Sequence, residues 1–240
     1  MRKVSIIVPA YNEARYIEKL LHRILEIPTE MVGFQKEIIV VDDGSKDHTF
    51  EAAQRVQGIS VYRQLPNQGK GRAVQFGISK ATGDFVLVQD ADLEYEPADY
   101  LPMLTELAAG PKVSVYGSRV LGQIEMNGWR LFPGKHPQQG LGPWIAGVVL
   151  SIWTFLLFGR WITDTLTAYK IYPRALFSQT KVQTAGFETD HELTARLIRL
   201  GYQIKEIPIQ YHPRSREEGK KIRARDGLIA LWTLVRFRFV

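Results

Sequence analysis

The feature that most restricts the fold of this chain is a regular alternation of short apolar runs with helical stretches in its first half. The runs are four or five residues long and most are rich in valine and isoleucine; they are Val4–Val8, Ile38–Val41, Ser60–Arg63, Phe85–Val88 and Val113–Gly117. Continuous apolar strands of this kind are typical of a parallel sheet covered on both faces. Between the first two runs, residues 17–24 carry apolar side chains at helical spacing, and Asn12 is placed to cap that helix. The sequence therefore predicts an α/β fold with a mostly parallel central sheet flanked by helices.

The second half of the chain departs from this rhythm. Residues Leu121–Gly140, rich in glycine, proline and polar or basic residues, are expected to form a loop over the site, and Leu141–Phe158 is a stretch of 18 residues without a charge. Further helices are expected at 69–79, 97–107 and 192–200, extended segments at 166–172 and 204–211, and a charged loop at 213–225. We expect one domain over residues 1–227, followed by an amphipathic basic helix over residues 228–240.

Composition excludes several functional classes. The chain of 240 residues is 45% hydrophobic and 23% charged, which permits a full core and excludes global disorder. It contains no cysteine, so a disulfide framework, a thiol nucleophile and thiolate metal sites are excluded. Residues 196–240 hold 11 basic and 4 acidic side chains, against 20 and 21 in the rest of the chain. This basic end favours a polyanionic partner, such as phosphates, an anionic membrane surface or nucleic acid.

Two aspartates, Asp90 and Asp92, directly follow the fourth apolar run and are separated by one residue. In an open α/β sheet, ligands bind at the carboxyl ends of the strands. Carboxylates at this spacing can share one hard divalent ion, and Mg²⁺ or Mn²⁺ sites typically combine one or two carboxylates with phosphate oxygens of the substrate. The pattern predicts a metal site; the alternative is a solvated turn, because Asp-x-Asp is a common sequence.

Two other strand ends carry groups that suit a nucleotide. After the first run, Tyr11 can stack on a base and Glu13 can accept a hydrogen bond from a ribose or base edge, although Glu13 also suits a helix start. After the second run, Asp42 and Asp43 suit ribose hydroxyls and base N–H groups, or alternatively an Asp-Gly turn. Residues 67–71, Asn-Gln-Gly-Lys-Gly, lack the spacing of a P-loop and are interpreted as a glycine-rich helix start near the same pocket.

Together these segments are far more specific than any one of them. Pro9-Ala-Tyr-Asn-Glu13, Asp42-Asp-Gly-Ser, Asn67-x-Gly-Lys-Gly, Ala81-Thr-Gly-Asp84 and Gln89-Asp-Ala-Asp92 occur in this order, followed by Tyr116-Gly-Ser-Arg119, Leu157-Phe-Gly, Thr163-Asp164, Tyr169-Lys170, Pro213-Arg214 and Glu218-Gly-Lys-Lys221. Over residues 4–232 the chain thereby resembles the family 2 inverting glycosyltransferases of the GT-A fold. Within that family it looks most like the branch of dolichyl-phosphate mannose synthases and polyprenyl-phosphate glycosyltransferases.

The resemblance implies a single GT-A, Rossmann-like domain and a nucleotide-sugar pocket. The matching positions are Pro9, Tyr11, Glu13, Val41, Asp42, Asp43, Lys70, Asp90, Ala91, Asp92, Glu94, Arg119, Arg214 and Lys220. Asp90 and Asp92 match the ligands of Mg²⁺ or Mn²⁺, Asp92 more directly, and the positions at 214 and 220 match a cationic loop that closes over the donor diphosphate. Arg119 matches a basic residue near the transferred sugar and the acceptor phosphate. Arg130, Lys135 and His136 are further acceptor candidates by charge and loop position.

A third position that the resemblance makes catalytic, beside Asp92 and Arg119, is Asp190. It lies where many family 2 enzymes carry a catalytic carboxylate. A hydroxyl acceptor needs such a general base, whereas a lipid phosphate is already an anionic nucleophile at neutral pH. We therefore expect Asp190 to orient the sugar or a basic residue; the alternative is an ordinary carboxylate in the first turn of a helix.

The resemblance implies transfer of a hexose, with inversion, from a nucleotide-sugar to dolichyl or polyprenyl phosphate. Mannose from GDP-mannose is the first expectation, because the Asp-Ala-Asp and Glu-Gly-Lys-Lys segments look mannose-synthase-like, and glucose from UDP-glucose is the second. The alternatives are transfer to a polysaccharide or protein hydroxyl, nucleotidyl transfer, and a non-catalytic basic module at a membrane surface. The sequence carries no nucleic-acid-binding motif.

The apolar stretch Leu141–Phe158 is at the lower edge of a membrane-spanning length. A single crossing would separate Asp90 and Asp92 from the 214–220 loop, although both are expected at one diphosphate. We therefore expect a cytoplasmic protein, peripheral at the cytoplasmic face of the membrane and held there by this stretch and the terminal helix. The apolar run Val4–Val8 near the N-terminus is too short for the apolar region of a signal sequence, and we expect it to be a strand. The alternative is that both segments pack together in a soluble core.

Overall fold

The chain folds around one sheet in the part that the computed structural model describes, which is residues 1–107, 110, 112–128, 132–137, 140–213 and 224–240. The strands there are β1 (Arg2–Ala10), β2 (Phe34–Asp42), β3 (Ser60–Arg63), β4 (Phe85–Val88), β5 (Val113–Ser118), β6 (Lys170–Pro173) and β7 (Gln203–Pro208). The α-helices are α1 (Ile17–Glu26), α2 (Thr49–Gln54), α3 (Lys70–Lys80), α4 (Tyr100–Glu106), α5 (Arg119–Asn127), α6 (Leu141–Phe158), α7 (Ala175–Gln179), α8 (Thr189–Arg199) and α9 (Ala224–Phe239). Short 3₁₀ helices lie at Thr29–Val32 and Pro97–Asp99.

The strand order across the sheet is β3-β2-β1-β4-β6-β5-β7. The pairs β1–β2, β1–β4, β2–β3 and β5–β7 are parallel, and β6 is antiparallel to both of its neighbours, β4 and β5. The predicted α/β fold with a mostly parallel sheet is therefore confirmed. Because β6 runs in the opposite direction, its first residue, Lys170, lies at the edge where the parallel strands end.

Both faces of the sheet are buried, which explains the continuous apolar runs of the sequence. Along β1, Ile6 and Val8 face a core cluster that includes residues of α1 and α4, whereas Ile7 faces a second cluster that includes residues of α3. Each of these three side chains is fully buried. A strand with apolar side chains on both faces does not alternate polar and apolar residues, and this is the pattern of the predicted strands.

The prediction of a loop over residues 121–140 is wrong for its first part, which belongs to helix α5. Ser118 caps this helix, because its hydroxyl accepts a hydrogen bond from the backbone N–H of Leu121 at 3.1 Å. The helix ends before Gly128. Gly122 lies inside the helix, where a Cβ atom would come within 2.1 Å of the carbonyl oxygen of Ile209. This glycine therefore permits close packing of a helix on the chain after β7 and does not break the helix.

Helices α6 and α9 pack against each other and against α8. Leu150 of α6, Ala195 of α8, and Ala230 and Leu234 of α9 belong to one buried cluster. The indole N–H of Trp153 donates to the carbonyl oxygen of Leu231 at 3.3 Å. The boundary expected between residues 227 and 228 falls inside α9, which is one continuous helix in contact with the rest of the domain.

Candidate active site

The carboxyl ends of β1, β2 and β4 meet at one edge of the sheet, and the predicted functional side chains lie in the loops that leave it. The parallel register pairs Ala10 with Asp42, the last residues of β1 and β2, and Ile7 with Val88, the last residue of β4. The N–H of Asp43 donates to the carbonyl of Ala10 at 2.8 Å, so the first two loops begin together. The nucleotide candidates and the Asp-Ala-Asp motif thus share one edge.

Asn12 joins the first loop to the second. Its φ is 55°, in the left-handed region. Its N–H donates to the hydroxyl of Ser45 at 2.9 Å, and its side-chain oxygen accepts from the N–H of Lys46 at 2.8 Å. Asn12 therefore does not cap α1, which begins at Ile17 after Tyr16. The expectation of a cap is wrong because the asparagine side chain is used between the loops.

Three residues at the end of β1 and in the loop after it were predicted for the nucleotide pocket, and they differ in accessibility. Pro9 and Glu13 are buried, whereas Tyr11 is half-exposed. The N–H of Glu13 donates to the hydroxyl of Thr49 at 2.8 Å, which fixes the turn to the start of α2. Tyr11 is therefore the one of the three whose side chain a ligand reaches most directly.

Asp42 is fully buried at the end of β2. Its carboxylate lies 3.1 Å from Nε of Arg63 and accepts from the N–H of Ser45 at 3.3 Å. The side chain of its neighbour Val41 is also fully buried. These two residues shape the second loop from within, so any contact of Val41 with a nucleotide would use its backbone. Their predicted binding roles stay predictions.

Asp43 connects the second loop to the start of α3. Its two carboxylate oxygens accept from the backbone N–H groups of Gln68 at 2.9 Å and Gly69 at 2.8 Å. The side-chain amide of Asn67 donates to its carbonyl oxygen at 2.8 Å. The carboxylate therefore holds the glycine-rich segment in place. From the sequence, this side chain was expected to bind a nucleotide. In the structure its partners are two backbone N–H groups of the same chain, and the sequence pattern alone does not reveal them.

The glycines on either side of Lys70 allow α3 to approach the start of α8. Gly69 has a φ of 94°, which strains any residue with a side chain. A Cβ on Gly71 would lie 2.2 Å from the hydroxyl oxygen of Thr189 and 2.6 Å from the carbonyl of Ala185. This close contact brings Lys70 near the start of α8, where Asp190 follows Thr189.

Lys70 and three predicted carboxylates form one charged cluster. The ammonium of Lys70 lies 2.6 Å from a carboxylate oxygen of Asp90. Burial opposes the charge of Lys70, but the carboxylates of Asp90, Asp190 and Asp92 outweigh it and raise the pKa of the lysine above its ordinary value. The structure thus brings Asp190 together with Lys70, Asp90 and Asp92, which lie far earlier in the chain.

Arg119, at the start of α5, is fixed by a residue to which the sequence analysis gave no role. Its Nε and Nη2 donate to the two carboxylate oxygens of Asp164 at 2.7 Å and 2.8 Å. Its Cζ also lies 4.9 Å from the centre of the Tyr211 ring. Burial opposes the ionisation of Asp164, but Arg119 outweighs it and holds the pKa of this carboxyl below its ordinary value. Nη1 of Arg119 makes no hydrogen bond within the described chain and can donate to a ligand.

Glu206 in turn positions the segment that carries Asp164. Its carboxylate accepts from the N–H of Thr163 at 2.9 and 2.7 Å, from the Thr163 hydroxyl at 2.8 Å, and from the N–H of Asp164 at 3.0 Å. Glu206 was not among the residues predicted from the sequence. The signal that could have revealed it is a single acidic residue, between Ile204 and Ile207, in an extended segment.

The structure describes part of the predicted acceptor side. The ring of His136, the residue after Lys135, lies 6.3 Å from the ring of Tyr211, which is the ring that Arg119 contacts. The hydroxyl of Tyr211 donates to Glu94 at 2.8 Å. A cavity of about 220 Å³ adjoins these rings, with Met126 among its lining residues. Arg130, Arg214 and Lys220 lie outside the described residues, so the structure gives no position for the predicted cationic loop.

Asp90 and Asp92 suit a divalent ion that is shared with a substrate. In the described part of the chain, no three His, Cys, Asp or Glu side chains are arranged to hold a metal by themselves. Asp90 is 23% exposed, and Asp92 is half-exposed and accepts the N–H of Glu94 at 3.1 Å. Two accessible carboxylates are the protein share of a typical Mg²⁺ site that is completed by water and phosphate oxygens. The donor set therefore fits Mg²⁺ or Mn²⁺.

An exposed apolar surface, made by α6 and α9, begins beside the acceptor side. By length and composition α6 could cross a membrane, and it is alone in this among the described helices. Its large exposed apolar residues recur at helical spacing, and α9, which packs on α6, exposes three more: Leu141, Ile145, Val148, Val149, Ile152, Phe155 and Leu156 on α6, with Leu228, Ile229 and Trp232 on α9. The indole of Trp144 donates to the carbonyl of Pro133 at 3.1 Å, close to His136. We call this set the α6–α9 surface.

Known proteins are similar to this chain in sequence and in fold. A sequence model described as "Glycosyl transferase family 2" matches residues 5–160. The chain is 32% identical to a dolichyl-phosphate beta-glucosyltransferase of Trichomonas vaginalis, over 95% of this chain and 70% of that protein. It is 30% identical to a dolichol-phosphate mannosyltransferase of Pyrococcus furiosus, over 91% of this chain and 59% of that protein.

Among solved structures, a glucosyl-3-phosphoglycerate synthase from Mycobacterium tuberculosis, in complex with Mn²⁺, UDP and phosphoglyceric acid, has the same fold. Its TM-score is 0.70 at 21% identity, over 100% of this chain and 79% of that one. At this identity the similarity establishes the GT-A architecture of the sheet and its helices.

Proposed function

Since the chain belongs to glycosyl transferase family 2 and is thus a glycosyltransferase, we propose that it transfers a hexose from a nucleotide-sugar to a polyprenyl or dolichyl phosphate. The two curated relatives named above are dolichyl-phosphate sugar transferases. The observation that carries the proposal is that Arg119 is held by Asp164, whose neighbour Thr163 contacts Ser151 of α6 at 3.4 Å, while Arg119 and Asp90 both act electrostatically on the buried Tyr95. A guanidinium with an unused N–H suits a phosphate, and an apolar surface beside it suits a lipid.

The donor side consists of Lys70, Asp90 and Asp92. The ammonium of Lys70 lies among carboxylates, where the diphosphate of a nucleotide-sugar would meet a positive charge at the edge of the sheet. A divalent ion held by Asp90 and Asp92 would supply further neutralisation of the leaving nucleoside diphosphate. Positive groups fixed where negative charge develops are an effective way to stabilise a transition state.

The acceptor side consists of Arg119 and the groups that hold it. A phosphate oxygen of the lipid attacks the anomeric carbon of the sugar from the face opposite to the leaving group. The bond from that carbon to the diphosphate oxygen breaks, and the nucleoside diphosphate leaves with the electron pair, so the configuration inverts. No proton has to be removed from the phosphate nucleophile. Asp190 therefore acts here by orienting the donor side next to Lys70.

We propose GDP-mannose as the preferred donor and UDP-glucose as the second. The preference comes from the resemblance of residues 90–92 and 218–221 to mannose synthases. The relatives include both a glucosyltransferase and a mannosyltransferase, so both donors belong in the assay.

A position at the cytoplasmic face of a membrane is part of the same proposal. Helix α6 packs along its inner side on α8 and α9, and its outer side is the apolar stripe of the α6–α9 surface. A helix fixed to the domain in this way would lie in the interface between water and lipid rather than cross the bilayer. Arg236 and Arg238 of α9 are exposed and would meet anionic headgroups.

The test is an assay of both nucleotide-sugars with polyprenyl phosphate and Mn²⁺, scoring released nucleoside diphosphate and lipid-linked hexose. Asp92→Asn is expected to lower kcat by about a hundredfold or more, because a ligand of the ion is lost. The matched control is Asp84→Asn at the other end of β4, where the exposed carboxylate accepts the backbone N–H of Lys3. Full activity of Asp92→Asn, or transfer to a sugar hydroxyl in place of the lipid phosphate, would contradict the proposal.

A further inference from the structure

A fully buried lysine, Lys170, lies beneath the site edge of the sheet. It is the first residue of β6, paired in register with Tyr116 of β5. Its ammonium donates to the carbonyl oxygen of Thr165 at 3.0 Å and lies 5.0 Å from the centre of the Tyr116 ring. An ammonium has three donors, and this single hydrogen bond is the one it makes within the described chain. Burial of such a charge is costly unless something compensates it.

Partial compensation comes from both sides of the candidate active site. Thr165, which accepts the hydrogen bond of Lys170, directly follows Asp164, and Tyr116 bonds the hydroxyl of Thr194, which donates to the carbonyl oxygen of Asp190 at 2.8 Å. Lys170 forms no direct ion pair within the described residues. Burial lowers the pKa of its ammonium below the ordinary value; the charges of Asp190 and Asp164 oppose this shift, and those of Lys70 and Arg119 add to it. Asp190 belongs to the donor-side cluster around Lys70. Asp164 holds Arg119 on the acceptor side. Lys170 is therefore a single cation within electrostatic reach of both halves of the site.

The surroundings of Lys170 are not arranged for stability alone. The hydroxyl of Thr165 and Nδ1 of His191 are buried without a hydrogen-bond partner in the described part of the chain. Burial, together with the charge of Lys170, lowers the pKa of His191 to about 3, so this imidazole is neutral. Unpaired buried polar groups cost stability and call for an explanation. A functional requirement for the charge supplies one.

We propose that Lys170 is a positioning residue for sugar transfer. Its ammonium attracts the carboxylates of Asp190 and Asp164 toward one point and so fixes the spacing between the donor side and Arg119. In an in-line displacement, the rate depends steeply on the distance between nucleophile and reacting carbon. The inference rests on the proposed function, because it assigns Lys170 a part in that reaction.

The test is the substitution Lys170→Met, which keeps the length of the side chain and removes its charge. We expect kcat to fall by about tenfold to a hundredfold, the size of effect produced by a small misplacement of reacting groups. The affinity for the nucleoside diphosphate, measured by calorimetry, stays close to that of the wild type because Lys70, Asp90 and Asp92 remain. The Tm stays equal or rises, because replacing a buried charge by an apolar side chain of similar volume is often stabilising.

The matched control is Lys205→Met on β7, a partly exposed lysine paired with Glu106, which should leave kcat unchanged. A Lys170→Met protein with wild-type kcat would overturn the inference. A lowered Tm or failure to fold would also overturn it, since the charge would then serve the structure. If the wild type transfers no sugar to polyprenyl phosphate, the proposed function fails. The kcat values of wild type, Lys170→Met and Lys205→Met are then compared with the acceptor that the wild type does use.

Discussion

At the scale of single residues, the acceptor side depends on a chain of contacts that begins at Glu206. Glu206 holds the backbone of Thr163 and Asp164, and Asp164 holds the Nε–Nη2 edge of the Arg119 guanidinium. Arg119 is thereby locked into one orientation before any substrate arrives, with Nη1 turned away from its carboxylate partner. Preorganised donors of this kind are worth more than mobile ones, because no ordering remains to be done during the reaction.

The first prediction concerns Glu206→Gln. The amide keeps one acceptor oxygen but places an NH₂ group against the N–H and hydroxyl donors of Thr163 and Asp164, so the segment shifts and Arg119 loses its alignment. We expect the KM for the lipid phosphate to rise by about tenfold, with the affinity for the nucleotide-sugar unchanged. Steady-state kinetics with each substrate varied in turn measures this split. Glu106→Gln, at a partly exposed ion pair with Lys205, is the control, and an equal effect of both variants would refute the assignment.

The second prediction distinguishes the two kinds of acceptor through Asp190→Asn. If the nucleophile is a phosphate, no base is needed, and the variant should lose about tenfold to a hundredfold in kcat through poorer orientation. If the nucleophile is a hydroxyl, loss of the base should cost up to about 10⁴-fold. Single-turnover rates with polyprenyl phosphate and with a sugar hydroxyl acceptor give the comparison. Complete loss of transfer to the phosphate would show that Asp190 removes a proton.

The sequence was informative about residues whose neighbours are close in the chain and silent about those whose partners are distant. The Asp90–Asp92 pair is visible because one residue separates two carboxylates at a strand end. The Arg119–Asp164 pair joins residues 45 positions apart, and Glu206 is 42 positions further on. Nothing local in a single sequence encodes such contacts, since they arise only when β5, β6 and β7 are aligned in the sheet.

At the scale of elements, one carboxylate ties the amino ends of three strands together. Glu37 of β2 lies opposite Ser5 of β1 and accepts hydrogen bonds from Ser5, from the hydroxyl of Thr82 at 2.8 Å, and from the N–H of Gly83 at 3.1 Å, just before β4. Its carboxylate also lies 2.8 Å from the ammonium of Lys3. This group fixes β1, β2 and β4 at the edge opposite to the site, and so keeps their carboxyl ends level.

The third prediction is a pH-dependent contribution of Glu37 to stability. Burial opposes its ionisation, but hydrogen bonds from Lys3, Ser5 and Thr82 outweigh it and lower its pKa from 4.5 to about 2. Because the folded-state pKa lies below the unfolded one, the stabilisation is present above about pH 4.5 and is lost as the pH falls toward 2. Glu37→Gln should therefore cost about 1 to 2 kcal/mol at pH 7, after allowance for solvent screening.

Urea unfolding of both proteins at pH 7 and at pH 3 measures this contribution. The difference in unfolding free energy between wild type and Glu37→Gln should shrink at the lower pH. Glu18→Gln, in which a half-exposed carboxylate is 3.9 Å from Arg55, is the control and should show a small difference at both values. A gap that is constant with pH would mean that Glu37 is not ionised in the folded protein.

Elements were predictable where one physical rule decided them. The bounds of β3, β4 and α6 agree with the predicted segments, and for β4 and α6 the reason is that turn residues or charges flank continuous apolar runs. Helix α5 was missed because the glycine, proline and polar or basic residues of 121–140 were interpreted together as a loop, whereas Gly122 lies inside the helix and its lack of a side chain permits packing on Ile209. In a sequence, a glycine can therefore indicate either the end of a helix or a close packing contact inside one, and only the tertiary structure distinguishes the two.

At the scale of the whole molecule, the active edge and the α6–α9 surface lie side by side. The first turns of α6 contact the 132–137 segment, and Ser151 in the middle of α6 lies 3.4 Å from the carbonyl oxygen of Thr163, next to Asp164. A lipid whose tail lies along this surface would thus present its phosphate near Arg119. The same apolar stripe would serve both as membrane contact and as the wall along which the acceptor approaches.

The fourth prediction follows from this arrangement and concerns Leu156→Glu. The side chain of Leu156 is 68% exposed on α6, so a charge there leaves the core intact. Burial of one leucine in an apolar phase is worth about 1.5 to 3 kcal/mol, so binding to anionic vesicles should weaken by about tenfold or more. Cosedimentation with the vesicles measures this, and kcat with a short-chain acceptor in detergent should stay at the wild-type value.

Met31→Glu, 81% exposed on the 3₁₀ helix before β2, is the control because it lies outside the α6–α9 surface. Equal vesicle binding by wild type and Leu156→Glu would place the membrane contact elsewhere. The acceptor would then have to reach Arg119 without support from α6.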